Sequence, residues 1–258
     1  MENVQSSDGT VIAFDQLGAG PPLVLVAGAS CDRSIDAPLA TALAEHFTVL
    51  NYDRRGRGDS TDTLPFAVER EIEDIEALLA AAGGSAVVVG LSSGGALAAH
   101  AAASRLPISA LVMWEPPYRL DLDGQRKAKE YTVRLDALLA EGRRGDAVEL
   151  FMRQVGLPDE AITGARQSPY WALGEGLAQT LAYDNAAMGD ASIPTDRFAT
   201  ISVPTLVLAG GASPAWFRET AEAVAEAIPG ARYGVLDGQT HNVAGEALAP
   251  AVRDFVAG

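Results

Sequence analysis

Short runs of consecutive apolar residues alternate along this chain with longer stretches in which apolar positions recur every three or four residues. The first pattern is typical of buried strands and the second of amphipathic helices. Strands are predicted at 23–26, 47–52, 86–89, 110–114, 205–209 and 231–236, and two more lie within 4–14 around an Asp-Gly turn. Helices are predicted at 35–46, 67–82, 95–104 and 215–228 and at the end of the chain. Apolar strands that alternate with helices indicate an α/β fold with an eight-stranded, mostly parallel sheet and helices on both faces.

The alternation of strands and helices stops between about residues 117 and 195. Three helical segments are predicted there, at 126–141, 145–155 and 174–188, and the segment contains no convincing strand. Such a stretch between two strands of one sheet is typical of an insertion. We therefore predict a core domain of residues 1–116 and 196–258, with an inserted helical cap at 117–195.

Composition and charge narrow the range of partners. The chain has 258 residues, of which 48% are hydrophobic and 21% charged, as expected of a globular protein. Its formal net charge of −15 would repel nucleic acid and anionic membranes, so neither is expected as a partner. The single cysteine, Cys31, excludes an intramolecular disulfide framework and a cysteine-based metal cluster. The sequence has no signal peptide and no run of about 18 apolar residues, which predicts a soluble cytoplasmic protein.

The segment Gly90-Leu91-Ser92-Ser93-Gly94 is the most informative in the chain. It lies between a predicted strand and a predicted helix, which is the context that a G-x-S-x-G nucleophile elbow requires. In that geometry the Ser92 hydroxyl is exposed as a nucleophile, and the backbone N–H of Ser93 faces a developing oxyanion. The alternative is a glycine-serine turn that only packs a helix on a strand, since the chain contains 26 glycines.

A serine nucleophile needs a base, and only three histidines are available for that role. His241 follows a late predicted strand on a loop, at the carboxyl edge where active sites of parallel sheets lie. His46 and His100 fall at or within predicted helices and are interpreted as structural. The sequence therefore predicts that His241 is the general base.

Several motifs together resemble the α/β-hydrolase fold superfamily, in particular its small bacterial esterases and cofactor-free haloperoxidase-like hydrolases. Residues 90–95 resemble the family's elbow, and 238–241 resemble its histidine loop. The segment Asp53-Arg54-Arg55-Gly56-Arg57-Gly58-Asp59-Ser60 resembles the family's D-x-R-G-x-G-x-S segment, for which we expect a structural role beside the site. The insertion at 117–195 is similar in position to the family's cap.

The chain departs from the family pattern after the third strand, where Ala27-Gly28 replaces the frequent His-Gly pair. The resemblance implies that the residue after this glycine, Ala29, supplies the second oxyanion N–H, with Ser30 as its neighbour. Because a backbone amide performs this task, loss of the histidine side chain need not abolish activity. The nearby Cys31 is interpreted as a packed thiol, with a reactive thiol as the alternative.

The chain also departs from the family in its catalytic acid. Where the family usually has an aspartate after the strand at 205–209, this sequence has Ser213, and a hydroxyl cannot compensate an imidazolium charge. Some family members carry the acid at the end of the strand after the elbow, where Glu115 precedes two prolines. The resemblance thus implies Glu115 as the acid, with Asp237, or no carboxylate at all, as alternatives.

These residues predict a serine hydrolase that cleaves a carboxylic ester or lactone through an acyl-Ser92 intermediate. A small, uncharged or hydrophobic substrate is expected, and no metal or organic cofactor is implied. Two alternatives stay open. One is a lyase or cyclase that uses the same residues, and the other is a ligand-binding protein on a hydrolase scaffold, which the missing aspartate at 213 would favour.

Overall fold

An eight-stranded sheet forms the centre of the computed structural model, which describes residues 1–258. Its strands are β1 Glu2–Gln5, β2 Val11–Leu17, β3 Pro22–Val26, β4 Thr48–Tyr52, β5 Ala86–Leu91, β6 Ile108–Trp114, β7 Thr205–Gly210 and β8 Arg232–Leu236. They are arranged in the order β1-β2-β4-β3-β5-β6-β7-β8. Only the pairs of β2 with β1 and with β4 are antiparallel; the other pairs are parallel. The predicted eight-stranded, mostly parallel sheet is confirmed.

Helices cover both faces of the sheet. They are α1 Ala37–Leu43, α2 Val68–Ala81, α3 Ser93–Ala103, α10 Ala215–Glu226 and α11 Gly245–Ala257. One apolar cluster joins the sheet to α2, α3 and α10, and a second joins its other face to α1 and α11. In β5, Val88 belongs to the first cluster while Val87 and Val89 belong to the second. The apolar run is continuous because successive side chains enter cores on opposite faces.

Six helices lie between β6 and β7 in the sequence. They are α4 Leu122–Ala140, α5 Arg144–Gln154, α6 Asp159–Arg166, α7 Trp171–Leu177, α8 Thr180–Met188 and α9 Thr195–Phe198. Side chains of α4, α5 and α8 share an apolar cluster of their own, and Ala29 packs against it. These helices therefore cover the loop after β3. The division of the chain into a core domain of residues 1–116 and 196–258 and a cap of residues 117–195 stays a prediction.

The helices of the insertion differ in detail from the prediction. The prediction of a single helix at 174–188 is wrong. Around residues 178–182 the backbone forms turns with hydrogen bonds between residues three apart, and these turns separate α7 from α8. The sequence does not predict α6, since the helix has only eight residues and Ile162 is its only buried one, which is too short a stretch for a helical repeat to stand out. No helix combines the length and apolar character needed to cross a bilayer.

Candidate active site

The turn between β5 and α3 holds Ser92 in a strained backbone conformation. Its φ of 52° and ψ of −124° lie in a region that residues other than glycine rarely adopt. A Cβ atom on Gly90 would clash with the Gly94 carbonyl, and one on Gly94 would clash with the carbonyl of Val26. Only glycine allows the strand and the helix to approach this closely. The turn therefore leaves the half-buried Ser92 at its tip, as expected for a nucleophile elbow.

The structure brings His241 and Glu115 together at the carboxyl edge of the sheet. The His241 Nδ1 atom lies 2.7 Å from Glu115 Oε2, although the two residues are 126 positions apart in sequence. Glu115 follows β6 and is fully buried, and its other carboxylate oxygen accepts a hydrogen bond of 2.8 Å from the Gly210 N–H. Asp237, the alternative acid, is exposed and makes no hydrogen bond to His241. The geometry therefore favours Glu115 over Asp237.

The environment of Glu115 keeps its carboxylate ionised. Burial is the largest influence and raises the pKa of Glu115, but the contacts with His241, the nearby Ser213 hydroxyl and the Gly210 N–H together outweigh it, so that the pKa is lowered. The buried Ser213 hydroxyl has no partner within ordinary hydrogen-bond geometry, so we assign its effect to a nearby dipole and not to a formed hydrogen bond. An ionised carboxylate at this position can orient the imidazole and stabilise its charged form.

Two aromatic residues that the sequence analysis did not single out hold the histidine loop. The backbone carbonyl of Trp114 accepts a hydrogen bond of 2.8 Å from the Ser92 N–H. The indole Nε1–H of Trp114 donates a hydrogen bond of 2.9 Å to the His241 carbonyl. The Phe217 ring stacks on the His241 imidazole with centroids 4.6 Å apart. Trp114 thus connects the serine and histidine loops directly, and its place immediately before Glu115 is the only sequence signal for this role.

The Ser92 hydroxyl makes no hydrogen bond to the His241 ring, whose Nδ1 atom contacts Glu115. Hydrogen bonds between nucleophile and base are often long without substrate and shorten when the reacting complex forms. The contacts of Trp114 with both loops nevertheless place the serine turn beside the histidine loop.

Two backbone N–H groups are available near the serine. The N–H of Ser93 lies in the first turn of α3, where no intrahelical acceptor exists. Across from it, a Cβ atom on Gly28 would lie 3.3 Å from the Ser92 Cβ, so the loop after β3 passes directly beside the serine. The N–H of the next residue, Ala29, makes no hydrogen bond within the protein. An oxyanion hole requires two such N–H donors, and the assignment of Ser93 and Ala29 to that role stays a prediction.

The three arginines of the turn that follows β4 are buried, and each forms an ion pair with a buried carboxylate. Arg54 donates two hydrogen bonds of 2.8 Å to Glu71, and Arg55 donates two, of 2.8 and 2.7 Å, to Asp74. These two-point arginine–carboxylate contacts fix the turn in place. They support the structural role expected for this motif.

The remaining histidines contribute to packing. His100 lies in α3, and its Nε2 atom is 2.9 Å from the carbonyl oxygen of Ala187. Burial lowers the pKa of His100, and the nearby Arg197 adds to this shift. His46 precedes β4, which runs parallel to β3 and β5, so it lies at the edge of the sheet opposite to Ser92. No group of three or more histidine, cysteine or acidic side chains is placed to hold a metal ion.

Cys31 is expected to be inert toward thiol reagents. Burial raises the pKa of its thiol to about 12, and the charge of Asp36 adds to the effect, so the reactive thiolate is scarce at pH 8. A disulfide reagent such as dithiobis(nitrobenzoate) should therefore react slowly with the native protein at pH 8 and stoichiometrically after unfolding in guanidinium. Rapid stoichiometric reaction of the native protein would instead support the reactive-thiol alternative.

Comparison with known proteins agrees with this geometry. The model of the alpha/beta hydrolase family matches residues 23–252. A crystal structure of an alpha/beta hydrolase from Sphaerobacter thermophilus is 56% identical, with a TM-score of 0.89 over 98% of this chain and 99% of that one. A thermophilic esterase from Thermogutta terrifontis, solved with malate, is 26% identical with a TM-score of 0.74 over 99% and 97% of the two chains.

A curated relative adds a sequence match over part of the chain. Pimeloyl-[acyl-carrier protein] methyl ester esterase of Xanthomonas campestris is 35% identical over 150 residues, which cover 52% of this chain and 58% of that protein. The chain thus aligns with little more than half the length of this relative. The family model, by contrast, extends over most of the sheet, the elbow and the histidine loop, and this chain belongs to the alpha/beta hydrolase family.

Proposed function

We propose that this protein hydrolyses a carboxylic ester or lactone by way of an acyl-enzyme formed on Ser92. The observation that carries the proposal is the 2.7 Å contact between His241 Nδ1 and the buried carboxylate of Glu115, beside the strained turn of Ser92. The names of two similar proteins, a methyl ester esterase and a thermophilic esterase, support ester hydrolysis as the reaction class.

In the first half of the reaction, His241 Nε2 takes the proton of the Ser92 hydroxyl as its oxygen attacks the ester carbonyl carbon. The carbonyl oxygen becomes an oxyanion, which the N–H groups of Ser93 and Ala29 stabilise. Glu115 accepts the Nδ1–H hydrogen bond and compensates the imidazolium charge. His241 then returns the proton to the departing alkoxide, which leaves an acyl-Ser92 ester.

In the second half, His241 removes a proton from a water molecule that attacks the acyl carbon. The tetrahedral intermediate collapses, the Ser92 oxygen regains its proton, and the carboxylic acid leaves. No step requires a metal ion or an organic cofactor.

The substrate side of the proposal follows from the helical insertion and the charge of the chain. The insertion covers the Ala29 loop with an apolar cluster, and the net charge of −15 gives no general attraction to anions. We expect a small uncharged or hydrophobic acyl group, no nucleic-acid or membrane partner, and a cytoplasmic location. The ligand-binding alternative is favoured by the missing aspartate at 213. That argument is weakened, because the carboxylate of Glu115 contacts His241 instead.

A covalent probe and a substrate panel test the proposal together. A fluorophosphonate should label one residue per chain, and peptide mass spectrometry should locate the adduct on Ser92. Short-chain p-nitrophenyl esters and simple lactones should be hydrolysed with release of acid. Labelling without turnover of any ester or lactone would instead favour a lyase or cyclase, and absence of labelling would contradict a serine nucleophile.

A further inference from the structure

One buried carboxylate of the helical insertion contacts the turn that carries the nucleophile. Asp184 lies in α8 and is only 4% exposed. Its Oδ1 atom accepts hydrogen bonds from the Ser93 hydroxyl at 2.9 Å and from Arg54 Nη1 at 2.6 Å, and its Oδ2 atom accepts one from Arg57 Nη2 at 2.9 Å. Ser93 is the residue whose N–H we assign to the oxyanion hole. Asp184 therefore fixes one side of that hole through the Ser93 side chain.

The same two arginines continue from Asp184 to the loop after β3. Arg57 Nη1 donates to the Gly28 carbonyl at 2.7 Å and to the Cys31 carbonyl at 3.3 Å, and Arg54 Nη1 donates to the Ala27 carbonyl at 3.2 Å. The Gly28 carbonyl and the Ala29 N–H belong to a single planar peptide unit and point in opposite directions. Holding the Gly28 oxygen on the arginine side therefore directs the Ala29 N–H to the opposite side of the loop.

We propose that Asp184 is a positioning residue, which holds both oxyanion N–H groups in place from the helical insertion. It acts on Ser93 by a direct hydrogen bond and on Ala29 through Arg57 and the Gly28 carbonyl. This inference rests on the proposed function, because it assigns Asp184 a task in ester hydrolysis. It also implies that the oxyanion hole is complete only while α8 is seated on the core.

Because of the charges around Asp184, a neutral variant can distinguish a positioning role from a simple electrostatic effect. Arg54 and Arg57 are balanced by Glu71 and Asp184, so the buried set is neutral as a whole. Neutralising Asp184 leaves an excess positive charge close to the reacting carbonyl. By Coulomb's law alone, that change would favour the oxyanion and raise the rate. A lower rate in a neutral variant therefore reports lost positioning.

The test compares two variants with a matched control. Asp184→Asn removes the charge, and Ser93→Ala removes only the hydroxyl contact, which keeps the proposal testable if the first variant folds poorly. The control is Asp62→Ala, because Asp62 accepts a 2.6 Å hydrogen bond from Tyr183 of the same helix without touching either oxyanion loop. The concentration of active protein is set in each case by the end-point of fluorophosphonate labelling.

The measurements are kcat and KM for a p-nitrophenyl ester and the affinity for a trifluoromethyl ketone, which forms a tetrahedral adduct with the serine oxygen. We expect Asp184→Asn to lower kcat about 10- to 100-fold, less than the loss of a whole oxyanion donor, with KM within about twofold. Affinity for the ketone should fall by a similar factor. Ser93→Ala should lower kcat by about 3- to 10-fold, and Asp62→Ala should retain the wild-type values.

Three results would overturn the inference. The first is a wild-type or higher kcat per labelled site in both variants, and the second is a lower kcat with unchanged affinity for the ketone. The third is an equal loss in Asp62→Ala, which would assign the effect to general loosening of α8. If the wild-type protein were not labelled at Ser92, the proposed function would fail and this inference with it, so the two failures are distinguishable.

Discussion

Replacement of Ser92 by alanine is expected to abolish fluorophosphonate labelling and to lower kcat for ester hydrolysis by about 10⁶-fold. The loss is large because the acyl-enzyme pathway requires the serine oxygen, and only orientation and oxyanion stabilisation by the remaining residues would still act on a water molecule. The fold should persist, since alanine adds no bulk at the turn, where φ is 52°. Rates are measured with a p-nitrophenyl ester, and folding is checked by the midpoint of thermal unfolding.

The neighbouring serine provides the matched control for this substitution. Ser93→Ala should still reach full end-point labelling, because the Ser93 hydroxyl is buried and donates its hydrogen bond to Asp184. Labelling that survives in Ser92→Ala but disappears in Ser93→Ala would identify the wrong serine as the nucleophile. Full labelling of both variants would place the reactive group elsewhere in the chain.

The sheet and the serine turn were predictable because short-range sterics determine them. Apolar runs such as 86–89 are buried on both faces of a parallel sheet, and few other structures accept them. At Gly90 and Gly94 any side chain would clash with backbone only a few residues away or on the adjacent strand. The position of His241 after the last strand was equally informative, because the carboxyl ends of parallel strands share one edge.

The network around Asp184 was not predictable from the sequence. Its hydrogen bonds to Arg54 and Arg57 connect residues 130 and 127 positions apart, and isolated charged residues are mostly found on solvated surfaces. Their burial depends on how α8 packs over the core, and no local pattern of the chain encodes that packing. The same holds for the Trp114 indole, which reaches the His241 carbonyl across 127 positions.

Replacement of Glu115 by glutamine is expected to lower kcat on the order of 10²- to 10⁴-fold. Glutamine retains the shape of the side chain, but it cannot compensate an imidazolium charge, and its amide favours the wrong imidazole tautomer. Since Glu115 is fully buried beside His241 and Gly210, the volume match should preserve the fold. The measurement is kcat for a p-nitrophenyl ester, with thermal unfolding as the check on folding.

Two substitutions at position 213 show whether the effect is due to charge at the imidazole. Ser213→Ala should cost far less than Glu115→Gln, because a neutral hydroxyl outside hydrogen-bond geometry supplies no countercharge. In the double variant Glu115→Gln/Ser213→Asp, a carboxylate returns from the position where the family usually carries it, and part of the lost kcat should be recovered. Ser213 is itself buried beside Gly210, next to the Glu115 carboxylate. An aspartate at 213 would therefore start close to the carboxylate whose contact with the imidazole it must replace. A fully active Glu115→Gln variant would show that Glu115 is not the catalytic acid. The exposed Asp237 makes no hydrogen bond to His241, so we do not expect it to replace the lost charge.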